Sequence, residues 1–240
     1  MTLSVNQVPS LADQRSYWDE RWARQRLPND YQQRRGAAVL ALVKSLRLDN
    51  PRILDFGCGT GWFTGQLSHL GEATGIDLSP VAIGVARASY PETRFVAGNL
   101  YETELAKERF DVVVSQEVVA HVENPDAYLD LISRVLVPRG YVIITTANRV
   151  VTDRWIREPN PDGHIERYPN RREFTRMLQP RFEVLRTTSI MPIGDQGFLR
   201  LVNSHKLNRL ASRVISPERV ERLKEWAGWG YTLIAVARKR

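Results

Sequence analysis

Residues Ile53-Leu54-Asp55-Phe56-Gly57-Cys58-Gly59-Thr60-Gly61-Trp62 constrain this chain more than any other stretch, because they join a buried-strand pattern to a glycine loop and a helix start. Ile53, Leu54 and Phe56 read as a short apolar strand. Glycines at alternate positions let the backbone turn tightly and approach a ligand without side-chain obstruction. The spacing G-x-G-x-G departs from the G-x-G-x-x-G loop that cradles a pyrophosphate. Asp55, just before the loop, would repel phosphate and could attract an amine or sulfonium group. A second acid ends the next apolar strand in Gly75-Ile76-Asp77-Leu78-Ser79-Pro80, where Ser-Pro opens a helix. Asp77 lies 20 residues beyond Gly57, the spacing expected when adjacent parallel strands deliver both groups to one crevice.

The segment Leu54 to Gly61 resembles motif I of the class I S-adenosylmethionine (SAM) dependent methyltransferases, and Asp77 matches the acid that takes the two ribose hydroxyls of SAM in that family. The resemblance implies a cofactor site of Asp55, Gly57, Cys58, Gly59, Gly61, Asp77 and Leu78, with SAM as methyl donor and S-adenosylhomocysteine as product. Phe95-Val96-Ala97-Gly98-Asn99-Leu100 is similar to the third cofactor motif, with Asn99 where the family often has Asp. An amide oxygen can still accept from the adenine amino group, and Leu100 would pack on the ring. Gly98-Asn99 can equally be a plain turn. Gln116 completes the expected cofactor set.

Beyond the glycine loop, apolar runs at strand length alternate with helical patterns: strands at 52–56, 73–77, 93–97, 111–115 and 141–146, helices at 61–70, 80–89 and 126–136. Such alternation implies an α/β fold with right-handed βαβ units and a parallel sheet. Later come a loop at 147–168, a helix at 171–178, a strand at 182–190, a helical region at 197–226 and a strand at 231–237. By resemblance the last two strands complete a Rossmann-like, seven-stranded mixed sheet with an antiparallel final strand and helices on both faces. Residues 13–35 read as helical with a break at Pro28-Asn29-Asp30, followed by a helix at 37–46. The expected organisation is one domain over 1–240: an N-terminal helical lid (1–36), a SAM-binding core (37–190), a helical insertion (191–228) and a final strand (229–240).

Methyl transfer from a sulfonium is a one-step displacement, so the protein must mainly align the reacting atoms and exclude water. An oxygen nucleophile usually needs a general base. Residues 111–122, Asp-Val-Val-Val-Ser-Gln-Glu-Val-Val-Ala-His-Val, lack the Asn/Asp-Pro-Pro-Tyr/Phe signature of many nucleic-acid methyltransferases. Cys58 is the only cysteine, which removes covalent cysteine chemistry on pyrimidines, an intrachain disulfide and a cysteine-based zinc site. Glu117 to His121 resembles the E-V-x-x-H-V segment of small-molecule methyltransferases, including the O-methyltransferases of quinone biosynthesis. Some of those place a divalent cation between two acids and the histidine. Ala120 stands where the second acid would be, so no metal is expected. His121 could act as a base, orient the cofactor or satisfy a loop carbonyl. His164, in the loop after the fifth strand, is the competing catalytic candidate. Tyr17, Trp18 and Trp155 could wall an acceptor pocket, since aromatic faces bury large areas while their polar edges hydrogen-bond.

The net charge of +7 is uneven, with 16 Lys+Arg against 17 Asp+Glu in residues 1–150 and 18 against 10 in residues 151–240. A basic C-terminal third could serve an RNA- or protein-modifying methyltransferase, and a SAM-binding module without catalysis is a third reading. Spread through helical patterns, most of these arginines fit a solvated face equally well. Residues 1–7 lack the basic and apolar regions of a signal peptide, and no run reaches the length of a membrane span, so a cytoplasmic enzyme is expected. The reading adopted is methyl transfer from SAM to a hydroxyl, less favourably an amine, of a small molecule such as a sugar or specialised metabolite. Residues 195–208 resemble bacterial methyltransferases of glycan assembly, which tilts the acceptor toward carbohydrate.

Overall fold

A computed structural model describes residues 9–154, 165–194, 196–204, 208–209 and 215–240. Seven strands form one sheet: β1 (Arg52–Phe56), β2 (Glu72–Asp77), β3 (Arg94–Ala97), β4 (Phe110–Gln116), β5 (Leu136–Ala147), β6 (Phe182–Pro192) and β7 (Gly230–Lys239), in the order β3-β2-β1-β4-β5-β7-β6. β1 to β5 run parallel, and β7 is antiparallel to both β5 and β6. The chain reverses its direction of travel across the sheet between β1 and β4, and in open α/β sheets a crevice for ligand opens at the strand ends there.

Alternate residues of each strand feed opposite cores, which is why these strands read as continuous apolar runs. Leu54, Val113, Val142, Ile144 and Leu233 pack on one face with helix α5 (Pro125–Val135). Ile53, Val112, Val114, Ile143 and Ile234 pack on the other, with α2 (Asp30–Ser45) and α3 (Trp62–Leu67). The helix expected from residue 37 begins seven residues earlier, because Asn29 and Gln32 form a reciprocal capping box at its start. It therefore runs across the expected lid boundary at residue 36. Gly36 lies where a Cβ would meet the Trp62 ring at 2.4 Å, so the glycine that weakens the helix pattern permits close packing of α2 on α3. The helix expected over 61–70 is shorter, its end drawn into a turn by the Leu70 N–H donating to the Leu67 carbonyl at 2.8 Å.

Helix α1 (Leu11–Arg24) buries none of its residues and crosses the carboxyl ends of the strands, meeting the start of α4 (Pro80–Ser89). The expected loop after β5 contains a short helix, α6 (Arg149–Thr152), started by Asn148, whose buried amide donates to the Gly228 and Gly230 carbonyls. Helix α7 (Arg171–Leu178) precedes β6, and α8 (Gly197–Val202) and α9 (Pro217–Trp226) lie between β6 and β7. No described helix is long and apolar enough to cross a membrane.

Candidate active site

The crevice holds a cavity of about 690 Å³, roofed by α1 and the start of α2 and floored by the ends of β1, β2 and β4. Gly57 has φ +81, and a Cβ there would lie 2.2 Å from Val118 Cγ2, so strand β1 and the segment after β4 approach through the missing side chain. The N–H groups of Gly57 and Cys58 both donate to the Ile76 carbonyl, at 2.8 and 3.0 Å, which fixes the loop against the end of β2. Gly59, with φ +53, would place a Cβ 2.7 Å from the Trp22 ring of α1.

Asp77 accepts the Gly59 N–H at 2.8 Å on one oxygen and the Ser79 N–H at 2.9 Å on the other, so the second acid is tied directly to the glycine loop. Burial raises its carboxyl above the ordinary value, opposed by those hydrogen bonds. Asp55 is 2% exposed and accepts the Thr64 hydroxyl at 2.7 Å. Desolvation pushes its carboxyl up to about 7, against the Thr64 hydrogen bond, with the negative charge of Asp77 adding to the rise. The acid expected to face a cation is thus poised near neutrality until a cation arrives.

Leu78 also lines the cavity, and Asn99 and Leu100 do so at its far end. Asn99 Oδ1 accepts the Tyr101 N–H at 3.2 Å, so the turn reading of this residue is realised and one of its two lone pairs is engaged. Cys58 touches the cavity but is buried against Ile83, Ala86 and Phe95, and burial raises its thiol well above the ordinary range. Gly61 does not line the cavity: it is the left-handed residue that starts α3.

At the opposite end stands His121. Its Nδ1 lies 2.7 Å from the Ile165 carbonyl, which can only accept, so Nδ1 carries the proton and the neutral ring keeps its lone pair on Nε2. Burial lowers the ring below its ordinary value, partly offset by the Ile165 bond and the charges of Glu117 and Glu166. Trp18 of α1 meets His121 edge to face at 5.3 Å between centroids, and Tyr168 does so at 6.2 Å. Tyr17 is not in the cavity wall; it packs edge-on against Trp18 at 5.1 Å, because the two neighbours point to different sides of α1. His164 and Trp155 lie outside the described residues.

Glu117 takes φ +60, unusual for a residue with a side chain. Thr145 holds it there: its carbonyl accepts the Glu117 N–H at 3.1 Å and its hydroxyl donates to Oε1 at 3.0 Å. The carboxylate also pairs at 3.5 Å with Arg35, whose side chain is 11% exposed and whose Nε donates to Gln116 Oε1 at 3.1 Å. Arg35 lines the cavity and carries no local sequence signal, being one arginine of a pair on an amphipathic helix. Glu166, Tyr168 and Tyr231 complete this wall; they too lie in unremarkable stretches of sequence. Among the described residues no group of three or more His, Cys, Asp or Glu side chains could hold a metal ion.

A methyltransferase domain family model matches residues 54–144, which contain the glycine loop, Asp55, Asp77, Asn99, Gln116 and His121. Residues 54–144 thus carry a methyltransferase domain of the SAM-dependent kind. The chain is 29% identical over 173 residues to a ubiquinone biosynthesis O-methyltransferase of Cereibacter sphaeroides, a match covering 66% of this chain and 67% of that one. A protein of the same description from Azorhizobium caulinodans is 38% identical over 115 residues, covering 45% and 46%. Among solved structures, the N-methyltransferase NodS of Bradyrhizobium japonicum, in complex with S-adenosylhomocysteine, has a similar fold at TM-score 0.62 and 18% identity, covering 92% of this chain and 98% of that one. The chain is thus similar in sequence to O-methyltransferases and in fold to an N-methyltransferase.

Proposed function

We propose that the cavity takes SAM at its sheet end and methylates a hydroxyl of a small molecule at its His121 end. The carrying observation is the proton held on His121 Nδ1 by the Ile165 carbonyl, which puts the basic lone pair of the neutral, mostly buried imidazole on Nε2 at an aromatic-walled cavity. The residues suit the cofactor: ionised Asp77 can accept two ribose hydroxyls, Asp55 can meet the ammonium group, Arg35 and Gln116 offer donors for a carboxylate, and Asn99 and Leu100 can border the adenine. The volume is in the range that binds such molecules. Bound SAM supplies a methyl group on a sulfonium leaving group.

In this reading His121 removes the acceptor proton as the oxygen attacks, while Trp18 and Tyr168 hold the ring and exclude water. Burial keeps the imidazole unprotonated at neutral pH, so turnover should fall only as pH drops through its lowered pKa. The relatives are named as O-methyltransferases of ubiquinone biosynthesis, which supports a hydroxyl acceptor, whereas carbohydrate rests on a short sequence likeness alone, part of it outside the described residues. A small molecule is favoured over RNA or protein because several C-terminal arginines are engaged within the fold: Arg181 with Asp126 and Asp130, Arg238 with Glu183, and Arg171 with the Trp226 and Thr187 carbonyls. The N-terminal helix would then be the lid and the whole chain one working unit.

Calorimetry with SAM and with NADH, followed by methyl transfer to a panel of phenols, sugars and amines, tests the reading. SAM binding with hydroxyl methylation is expected. Binding of NADH, or methylation confined to amines, would overturn it.

A further inference from the structure

The cofactor site is bonded to the N-terminal helix through a contact that the methyl-transfer chemistry does not require. Ser79 begins α4 and its hydroxyl accepts the Ala82 N–H at 3.0 Å, capping that helix. The same hydroxyl donates to the Asp19 carboxylate of α1, and the Asp19 oxygen that receives it also lies 3.4 Å from the Val81 N–H. Asp19 is therefore an acid at the positive end of α4, reaching it from another helix. Ser79 in turn donates its N–H to Asp77, which accepts the Gly59 N–H. A continuous run of hydrogen bonds thus links Asp19, Ser79, Asp77 and Gly59.

The rest of α1 touches both ends of the cavity. Three residues after Asp19, Trp22 covers Gly59; one residue before it, Trp18 packs on His121. The two indoles are stacked 6.5 Å apart. α1 buries no residue of its own, so little apolar packing holds it, and a single charged contact carries unusual weight.

We infer that Asp19 is a positioning residue: it latches α1 onto Ser79 over the occupied cofactor site, so that cofactor retention and placement of Trp18 against His121 are one equilibrium. This rests on the reading that SAM occupies the sheet end of the cavity. Occupancy orders the Asp77–Ser79 turn, the turn presents the Ser79 hydroxyl to Asp19, and latching shuts the exit path beneath Trp22. The reciprocal consequence is that loosening the latch speeds cofactor loss.

The test uses the full chain with S-adenosylhomocysteine. Its dissociation rate is measured by stopped-flow indole fluorescence, and hydrogen exchange of residues 11–24 is followed with and without it. Asp19→Ala should release S-adenosylhomocysteine at least about fivefold faster and abolish ligand-induced protection of α1, with little change in melting temperature of the free protein. Asp19→Asn, which keeps an acceptor oxygen for the Ser79 hydroxyl, should recover much of the slow release. A merely structural Asp19 would alter melting without altering release. Wild-type release from Asp19→Ala, or α1 exchange indifferent to S-adenosylhomocysteine in the wild type, would overturn the latch and leave the SAM assignment standing. Failure of the wild-type protein to bind S-adenosylhomocysteine would remove both.

Discussion

The two ends of the cavity are built on different principles. At the sheet end, apart from the Ser79 contact to Asp19 of α1, the hydrogen bonds are short in sequence: Thr64 to Asp55 spans 9 residues, Gly59 to Asp77 spans 18 and Ser79 to Asp77 spans 2. At the acceptor end they are long: His121 meets Ile165 across 44 residues and Trp18 across 103. The first end is a strand-loop-helix unit whose chemistry is written in one window. The second exists only once α1, α2 and the chain after β5 have converged, so its residue types carry no mark of their function. Cofactor recognition can therefore stay constant while the acceptor wall is exchanged.

The sharpest way to break this comparison is at His121, the one acceptor-end residue that a motif exposes. His121→Ala should lower turnover by roughly 10²–10⁴ while SAM affinity stays unchanged. Steady-state kinetics with calorimetry on the same protein would check it. A variant that lost SAM affinity instead would show that the two ends are not separable, and an unimpaired one would leave proximity as the whole mechanism.

The next effect lies at the sheet end. Asp77→Ala removes an acceptor for the ribose hydroxyls and should weaken SAM by about 1.5–3 kcal/mol, the scale of lost charge-assisted hydrogen bonds. Turnover at saturating SAM should change far less. Equal losses in both parameters would place Asp77 in alignment of the reacting atoms and blur the division between the ends.

Legibility follows the same division. The β1 strand, the Gly57 and Gly59 loop and Asp77 are readable because glycines alternating between a buried strand and a helix mark a tight turn with close approach, here of Val118 and Trp22 to the backbone that floors the cavity. The central strands β1, β4 and β5 are readable because strands covered on both faces are largely apolar, whereas the count of seven came with the family resemblance, since β6 (Phe182–Pro192) carries Glu183, Arg186 and Thr187. What escapes is set by side chains reaching across the fold. The capping box of Asn29 and Gln32 pulls α2 seven residues earlier than its apolar stripe implies, and Tyr17 packs against Trp18, which is the one of the two that lines the cavity. Arg35 escapes because nothing local distinguishes it from Arg34, whose partner is Glu221 on the surface.

A smaller effect concerns protons. Asp55 is raised to about 7 by burial, so without ligand it is largely protonated at pH 6 and largely ionised at pH 8. A carboxyl with its folded value raised contributes stability at low pH that is lost as pH rises through that value, so this group makes the free protein less stable at pH 8 than at pH 6. A cation beside Asp55 favours the ionised form, and SAM binding near pH 6 should therefore release a proton. SAM affinity should rise about tenfold from pH 6 to pH 8, and Asp55→Asn should flatten that dependence. Calorimetry in buffers of different ionisation enthalpy reads the proton directly; no release would mean that Asp55 does not face the bound cation.

The smallest expected effect is none at all, and it concerns the element that ties this acceptor end to its relatives. Glu117 and His121 remain, but Ala120 occupies the position of a second acid, and the Glu117 carboxylate is engaged by the Arg35 guanidinium and the Thr145 hydroxyl. A cation at Glu117 would have to compete with a guanidinium already in place and would find one carboxylate and an imidazole, a poor set for an ion that prefers several oxygens. Turnover should therefore be unchanged by EDTA and by added magnesium. Arg35→Ala sharpens the point, because it frees the carboxylate: if magnesium stimulated that variant but not the wild type, the guanidinium would be filling the place of a metal. Loss of wild-type activity in EDTA, restored by magnesium, would instead show that an ion binds despite Ala120 and that the acceptor end works by Lewis-acid chemistry.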